Sequence, residues 1–385
     1  MNAHKSFRIA VVGAGPVGLA FALQAARALP RAELQLFDAR ALDGQRSADA
    51  RVLALNLGSV QQLQRLGAWE PARAEPILEV SVSQVAPGGT DLRLRATELG
   101  QPLLGAVLPY GDVLQPLEQA WLGLSSPRLG SRGGQKVSAM KILADGRIEL
   151  DAGVAEAFDL VVLAEGGLFT EQAPRPWRRD YGQTAWIGTL RLAPSWPRGL
   201  AVERFTRQGP LAVLPLPDDT AGRRASLVWC TAADETPEQL TEARLRALLP
   251  ACAQAVQGIE GALKPFPLGL NAQPRLVQGR LLRIGNAAQA LHPVAGQGLN
   301  LGLRDAHQLV SCLRDGGSLA AALARFEGRR LPDRLALLGT TDGLARVFTG
   351  EGAALGLARE AGLRLLQALP PLRGALARQL MFGWR

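Results

Sequence analysis

A chain of 385 residues, 47% hydrophobic and 20% charged, has the length for about two domains and excludes a disordered or low-complexity polypeptide. Lys and Arg (43) exceed Asp and Glu (34) for a net +9, yet only Lys5, Lys136, Lys141 and Lys264 are lysines and no like-charge run forms a tail, which excludes nucleic acid as partner. Cys230, Cys252 and Cys312 are odd in number and widely spaced, and with His4, His292 and His307 they form neither a disulfide frame nor a zinc cage.

Phe7 to Val12 reads as a buried parallel strand, Pro16 to Leu29 as a helix, and Glu33 to Phe37 as a second strand ending at Asp38. Between the first two lies Gly13-Ala-Gly15-Pro-Val-Gly18, a G-x-G-x-x-G in strand–turn–helix context. The first glycine makes the turn, the second admits a pyrophosphate, and the third lets helix and strand pack closely. Asp38, about 20 residues beyond Gly18, can accept hydrogen bonds from an adenosine ribose. The pattern calls for a dinucleotide without saying which. The uncharged run Ile9 to Ala26 imitates a signal peptide, but its turn glycines and its end at Gln24 and Arg27 point to a cytoplasmic protein.

Ala50 to Asn56 leads into a helix over Ser59 to Leu66 with a stop at Gly67. Glu79 to Val85 and Thr90 to Leu94 form a hairpin around Pro87-Gly88-Gly89, and Leu108 to Trp121 reads as an amphipathic helix. Lys136 to Leu143 and Arg147 to Leu150 make another hairpin, and Phe158 to Leu163 a buried strand before Ala164-Glu165-Gly166-Gly167. Four strands follow: Thr184 to Leu192, Ala201 to Thr206, Leu211 to Leu216 and Ala225 to Thr231, a mostly antiparallel sheet without a glycine fingerprint. Pro237 to Leu249 is helical, Leu263 to Leu268 returns toward the nucleotide fold, and the chain is helical from Leu319, broken at Pro370-Pro371. From Ala353 the basic residues are Arg359, Arg364, Arg373, Arg378 and Arg385 against Glu360, with leucines and Trp384 on the apolar side. Such a segment suits an anionic membrane surface, a partner in a biosynthetic complex, or docking on its own chain.

The most informative stretch is Arg280 to Asp305: a short strand Leu281 to Ile284, Gly285-Asn286, a turn with His292-Pro293 and Gly296-Gln297-Gly298, and a helix from Leu299. Its glycines free the chain to aim the N–H groups of Gly298, Leu299 and Asn300 toward one point, a helix start suited to an anionic or carbonyl-rich edge. Gly285-Asn-Ala-Ala-Gln-Ala-Leu-His-Pro resembles the second FAD motif of the aromatic-ring flavoprotein monooxygenases, which share the p-hydroxybenzoate hydroxylase fold. It is nearest the ubiquinone-biosynthesis branch, where the 2-octaprenyl-6-methoxyphenol hydroxylase wording fits best. Glu203-Arg-Phe-Thr and Ser226-Leu-Val-Trp resemble the same branch.

The resemblance implies an α/β fold of the glutathione-reductase type: a Rossmann-like FAD domain (1–75, 100–175, 265–320), an interleaved antiparallel sheet for substrate (76–99, 176–264) and a C-terminal helical region (321–385). It implies FAD held by Gly13, Gly15, Gly18, Asp38, Arg51, Gln115, Gly166, Gly285, Asn286, Gly298, Leu299 and Asn300. His292 and Pro293 flank the flavin ring, His292 as a proton relay or as a locally bonded turn residue. The family's Asp-Gly is Glu165-Gly166 here with no arginine before Arg175, which alters the expected NAD(P)H contact. The implied reaction is hydroxylation of a prenylated phenol with NAD(P)H and O2; a flavin oxidase or reductase, or a non-catalytic FAD-retaining subunit, stays open.

Overall fold

The computed structural model describes residues 7–49, 51–85, 90–165, 177–290, 297–349 and 353–383, and of 340–349 and 353–359 the backbone course alone. Its helices are α1 (Pro16–Ala28), α2 (Leu57–Leu66), α3 (Tyr110–Leu122), α4 (Glu242–Leu248), α5 (Gln297–Arg314), α6 (Leu319–Thr349), α7 (Ala353–Ala368) and α8 (Pro370–Phe382).

A six-stranded sheet runs in the order Val277–Gln278, Leu281–Arg283, Leu160–Leu163, Phe7–Val12, Ala32–Asp38, Leu129–Gly133, parallel except at the first edge. Its central strands, Leu281–Arg283, Leu160–Leu163 and most of Phe7–Val12, are buried on both faces, as a parallel sheet requires. Ile9, Val11, Leu160, Val162 and Leu282 pack with α1 and α5, while Ala10, Val12, Phe37, Val161 and Leu163 pack with Ile148, Leu150 and Phe158. The last three belong to a three-stranded antiparallel sheet, Ala139–Ile142, Ile148–Asp151 and Ala155–Phe158. The run expected as one strand, Phe158 to Leu163, is therefore two strands in two sheets. Asp159 is the joint, its N–H donating to the Arg8 carbonyl (2.9 Å) and its carboxylate accepting from the Arg8 N–H (3.0 Å).

The second large sheet has eight strands: Gln289–Ala290, Val256–Ala272, Trp177–Leu192, Gly222–Ala232, Pro210–Asp219, Leu200–Phe205, Glu79–Gln84, Leu92–Arg95. Only Leu200–Phe205 beside Glu79–Gln84 is a parallel pair. The expected strands are all here, and two are far longer than expected. Trp177–Leu192 and Val256–Ala272 pair over nearly their whole lengths, with shifts in register at Asp180/Gln183 and Ile187/Thr189. The outer face buries Trp186, Leu190, Leu211 and Trp229 against Leu245 and Leu249. The inner face carries Ala185, Val228, Cys230 and Leu268, and farther along Ala201, Leu214 and Leu216.

A third small sheet, Val52–Asn56, Gly105–Pro109 and Glu75–Ile77, is absent from the sequence reading. Leu108 belongs to it and not to a helix. The Ala106 to Leu108 run is buried whichever form it takes, and pairing with Leu53 to Leu55 decides for strand. Helix α2 begins two residues earlier than expected because Asn56 caps it, accepting from the Ser59 N–H at 2.9 Å, and it ends at left-handed Gly67.

The C-terminal helices dock on the chain itself. Glu360 accepts from Gln84 and Thr90, Arg373 pairs with Glu98, and the Leu380 carbonyl accepts from Asn56 (3.0 Å) and Arg304 (2.7 Å). Leu365, Leu369 and Leu372 stay exposed on this region. Among the described residues no helix is long and apolar enough to cross a membrane.

Candidate cofactor cleft and active site

The strand Phe7–Val12 ends in a turn whose three glycines do different work. At Gly13 (φ +103°) an added Cβ would stand 2.7 Å from the Glu165 nitrogen, and at Gly18 it would stand 1.9 Å from the Gly13 carbonyl oxygen. Both are packing glycines. At Gly15 the nearest described atom would be the Tyr110 hydroxyl at 3.8 Å, so the space before it is open. Gly15 also caps α1 with no side-chain bond, and Pro16 follows at the first helical position. The N–H groups of that first turn are thus left to an outside acceptor.

Gly13, Gly15 and Pro16 border a cleft of about 480 Å³ that is also lined by Asp38, Arg40, Arg51, Tyr110, Glu165, Asn286 and Leu299. Segments nearly 300 residues apart in the chain, the first glycine turn and the Gly285–Leu299 stretch, therefore face one space. Asp38 accepts from the Ala14 N–H (2.6 Å) and the Arg40 N–H (2.7 Å), fastening the turn to the next strand. A second acid, Glu165, shares the cleft; burial and then the Asp38 charge push its carboxyl up. Arg51 stacks over the Tyr110 ring at 4.7 Å and chelates Asp49, whose carboxyl it holds below its ordinary value.

Gln115 lies elsewhere. Its oxygen accepts from Arg73 (2.8 Å) and its amide donates to the Gly44 carbonyl (3.2 Å), and it is not among the residues lining the cleft. Asp112, Gln115 and Glu118 stand at helical spacing on α3 and hold the loop before Val52: Arg46 pairs with Asp112, while Arg40 and the Gly44 N–H bind buried Glu118.

Gly285 (φ +58°) and Gly302 serve the crossing of α1 and α5. Added Cβ atoms would meet Val17 at 3.1 and 2.7 Å. Asn286, next to Gly285, faces the cleft. Helix α5 starts at Gln297. At Gly298 an added Cβ would meet no described atom within 4 Å, and Leu299 lines the cleft. The Asn300 side chain is buried, accepting from the Asn56 N–H and donating to the Ala54 carbonyl, both at 2.9 Å. It ties α5 to the small sheet. Gly166, His292 and Pro293 lie outside the described residues.

Sequence reasoning missed a buried polar cluster behind the second glycine stretch. Asp305, 1% exposed, accepts from Arg330 (2.7 Å), Gln289 (3.3 Å) and the Gly285 backbone. Arg330 also holds Asp333 (2.6 Å), and Arg334 holds Gln289 (2.5 Å). Arg330, Asp333 and Arg334 carry no motif in the sequence, and of the cluster only Gln289 and Asp305 fall within the Arg280 to Asp305 stretch.

The chain matches the family described as FAD binding domain over residues 179–322. Ubiquinone hydroxylase UbiL of Rhodospirillum rubrum is 34% identical over 359 residues, covering 86% of this chain and 80% of that one. Human mitochondrial ubiquinone biosynthesis monooxygenase COQ6 is 29% identical over 238 residues, half of each chain. Solved structures share the fold. Klebsiella pneumoniae HpxO complexed with FAD and uric acid superposes with TM-score 0.73 at 17% identity, covering 100% and 99% of the two chains. PqsL of Pseudomonas aeruginosa, a probable FAD-dependent monooxygenase, gives 0.74 at 20%, covering 93% and 99%. The glycine turn, the shared cleft and these relatives together place the chain among the FAD-dependent aromatic-ring monooxygenases, in the ubiquinone-hydroxylase branch.

Proposed function

We propose that this enzyme hydroxylates the aromatic ring of a polyprenylphenol in ubiquinone biosynthesis, with FAD as cofactor and NAD(P)H and O2 as co-substrates. The observation that carries the reading is the 34% identity to ubiquinone hydroxylase UbiL over most of both chains.

The cleft fits FAD by the test of its own glycines, since Gly15, unlike Gly13 and Gly18, has room for an added Cβ, whose nearest described neighbour would be 3.8 Å away. In the proposal the open first turn of α1 binds the pyrophosphate, Gly13 and Gly18 shape that turn, and Asp38 uses its remaining lone pairs on the ribose. Arg51 lies beside the phosphates and Asn286 beside the ribityl chain. The first turn of α5, Gly298 to Asn300, faces the flavin ring edge, where a helix start stabilises negative charge. Gly166, His292 and Pro293 belong to the proposal as cofactor and ring-flanking residues. FAD, when bound, takes reducing equivalents from NAD(P)H and delivers one atom of O2 to an electron-rich ring. The protein's share is to orient the ring and exclude water, for which the inner-face residues Ala185, Val228 and Leu268 are suited.

Glu79–Gln84 and Leu92–Arg95 join the substrate sheet across the long gap in sequence, which supports the expected interleaving, while Pro265 to Ala272 and Gln289–Ala290, expected in the FAD domain, belong to that sheet as well. Product analysis after turnover tests the function: a hydroxylated ring is expected, and H2O2 alone would make the protein an oxidase. We extend the proposal to an anionic lipid surface meeting exposed Leu365, Leu369 and Leu372 beside Arg364. Co-sedimentation with anionic vesicles, and little with neutral ones, is the expected result; equal recovery with both would dismiss the electrostatic part.

A further inference from the structure

A second cavity, of about 490 Å³, opens between the Asp49–Val52 segment and the inner face of the eight-stranded sheet. Arg51 lines both this cavity and the cofactor cleft. The cavity has a polar floor. Thr189 and Ser226 are direct partners across antiparallel strands, and directly opposed residues present their side chains on the same face. Ser226 is 1% exposed and Thr189 half-buried, and both line the cavity. A hydroxyl is both donor and acceptor, so two side by side on a cavity floor can bond the oxygens of a ligand that enters it. The walls are apolar: Val52, Ile187 and Phe266. The acids nearby are already engaged, Asp49 with Arg51 and Glu260 with Arg191, so no free carboxylate there repels an electron-rich ligand. An apolar wall with a few convergent polar groups is the pattern of a small-molecule pocket, and the size suits one.

We propose that this cavity seats the oxygen-bearing edge of the aromatic substrate. Thr189 and Ser226 hydrogen-bond to ring hydroxyl, methoxy or carbonyl oxygens, while Val52, Ile187 and Phe266 enclose the apolar remainder. The inference rests on the hydroxylase reading for the class of ligand and adds to it the residues that choose among ligands.

The test uses the FAD-loaded protein and equilibrium dialysis with two probes, a phenol bearing a short prenyl chain and the same compound without its ring oxygens. Thr189→Val and Ser226→Ala should each weaken binding of the phenol roughly tenfold and leave the deoxygenated probe and FAD retention unchanged. Unchanged phenol binding in both variants, or equal loss for both probes, would overturn the assignment. The two proposals fail separately. A wild-type protein that discriminates the probes through these hydroxyls yet forms only H2O2 keeps the seat and loses the hydroxylase. One that hydroxylates while the variants bind like wild type keeps the hydroxylase and loses the seat.

Discussion

Asp305→Asn is expected to destabilise the protein by about 3–5 kcal/mol and to strip most of its FAD. The carboxylate has donors on both oxygens, Arg330 on one and Gln289 on the other, with the Gly285 N–H as a third. An asparagine amide would therefore meet a donor whichever way it is turned. The change also removes one of the two carboxylates that hold the buried Arg330 guanidinium, leaving only Asp333. Burial pushes the Asp305 carboxyl up, and Arg330 opposes that rise by favouring its charge. Because Asp305 grips the Gly285 backbone, loosening it moves Asn286 in the cleft as well as weakening the core. Denaturant titration and flavin content after purification read the two effects. The exposed Arg93–Asp91 pair is the contrast, since its loss should cost less than about 1 kcal/mol. If Asp305→Asn matched that small change and kept its flavin, the cluster would not be supporting the site.

The second large effect separates two kinds of glycine in one turn. Gly18→Ala puts a methyl 1.9 Å from the Gly13 carbonyl oxygen and 3.2 Å from the Ala164 methyl, so α1 must move off its strand. Overpacking of this sort costs about 1–3 kcal/mol, and it should lower the melting temperature with or without FAD. Gly15→Ala meets nothing described nearer than 3.8 Å, and Gly15 has an ordinary φ of −72°. The apoprotein should therefore tolerate it, while FAD affinity falls because the methyl occupies the space in front of the helix start. Apoprotein melting and FAD titration of both variants check this. Loss of apoprotein stability in Gly15→Ala, or full FAD affinity, would place the cofactor elsewhere.

The sequence was most readable where covalent geometry limits the choice of residue. Gly13 to Gly18 announces a turn because only glycine fits the left-handed φ at Gly13 and the close approach at Gly18. Period-two runs in the second half gave the long antiparallel strands, although strand ends extended well past the apolar cores because backbone pairing continues through polar residues such as Arg178 and Arg179. What stayed hidden depends on tertiary partners. Gly105 to Leu108 became a strand because Leu53 to Leu55 lay ready to pair with it, which no local signal records. Arg330 and Asp333 look the same in sequence whether they point to water or to Asp305. The contact of Gly285 with Val17 and the bond from Gln115 to the Gly44 carbonyl likewise leave no local trace.

Whether oxygen reaches the ring decides what this enzyme does. Turnover with NADPH, a short-chain prenylphenol and isotopically labelled O2, followed by mass spectrometry of the organic product, measures this directly. The expected product carries one labelled oxygen on the ring, with NADPH consumed in proportion to it. Unlabelled phenol recovered alongside stoichiometric labelled H2O2, in protein that holds its full complement of FAD, would contradict the hydroxylase.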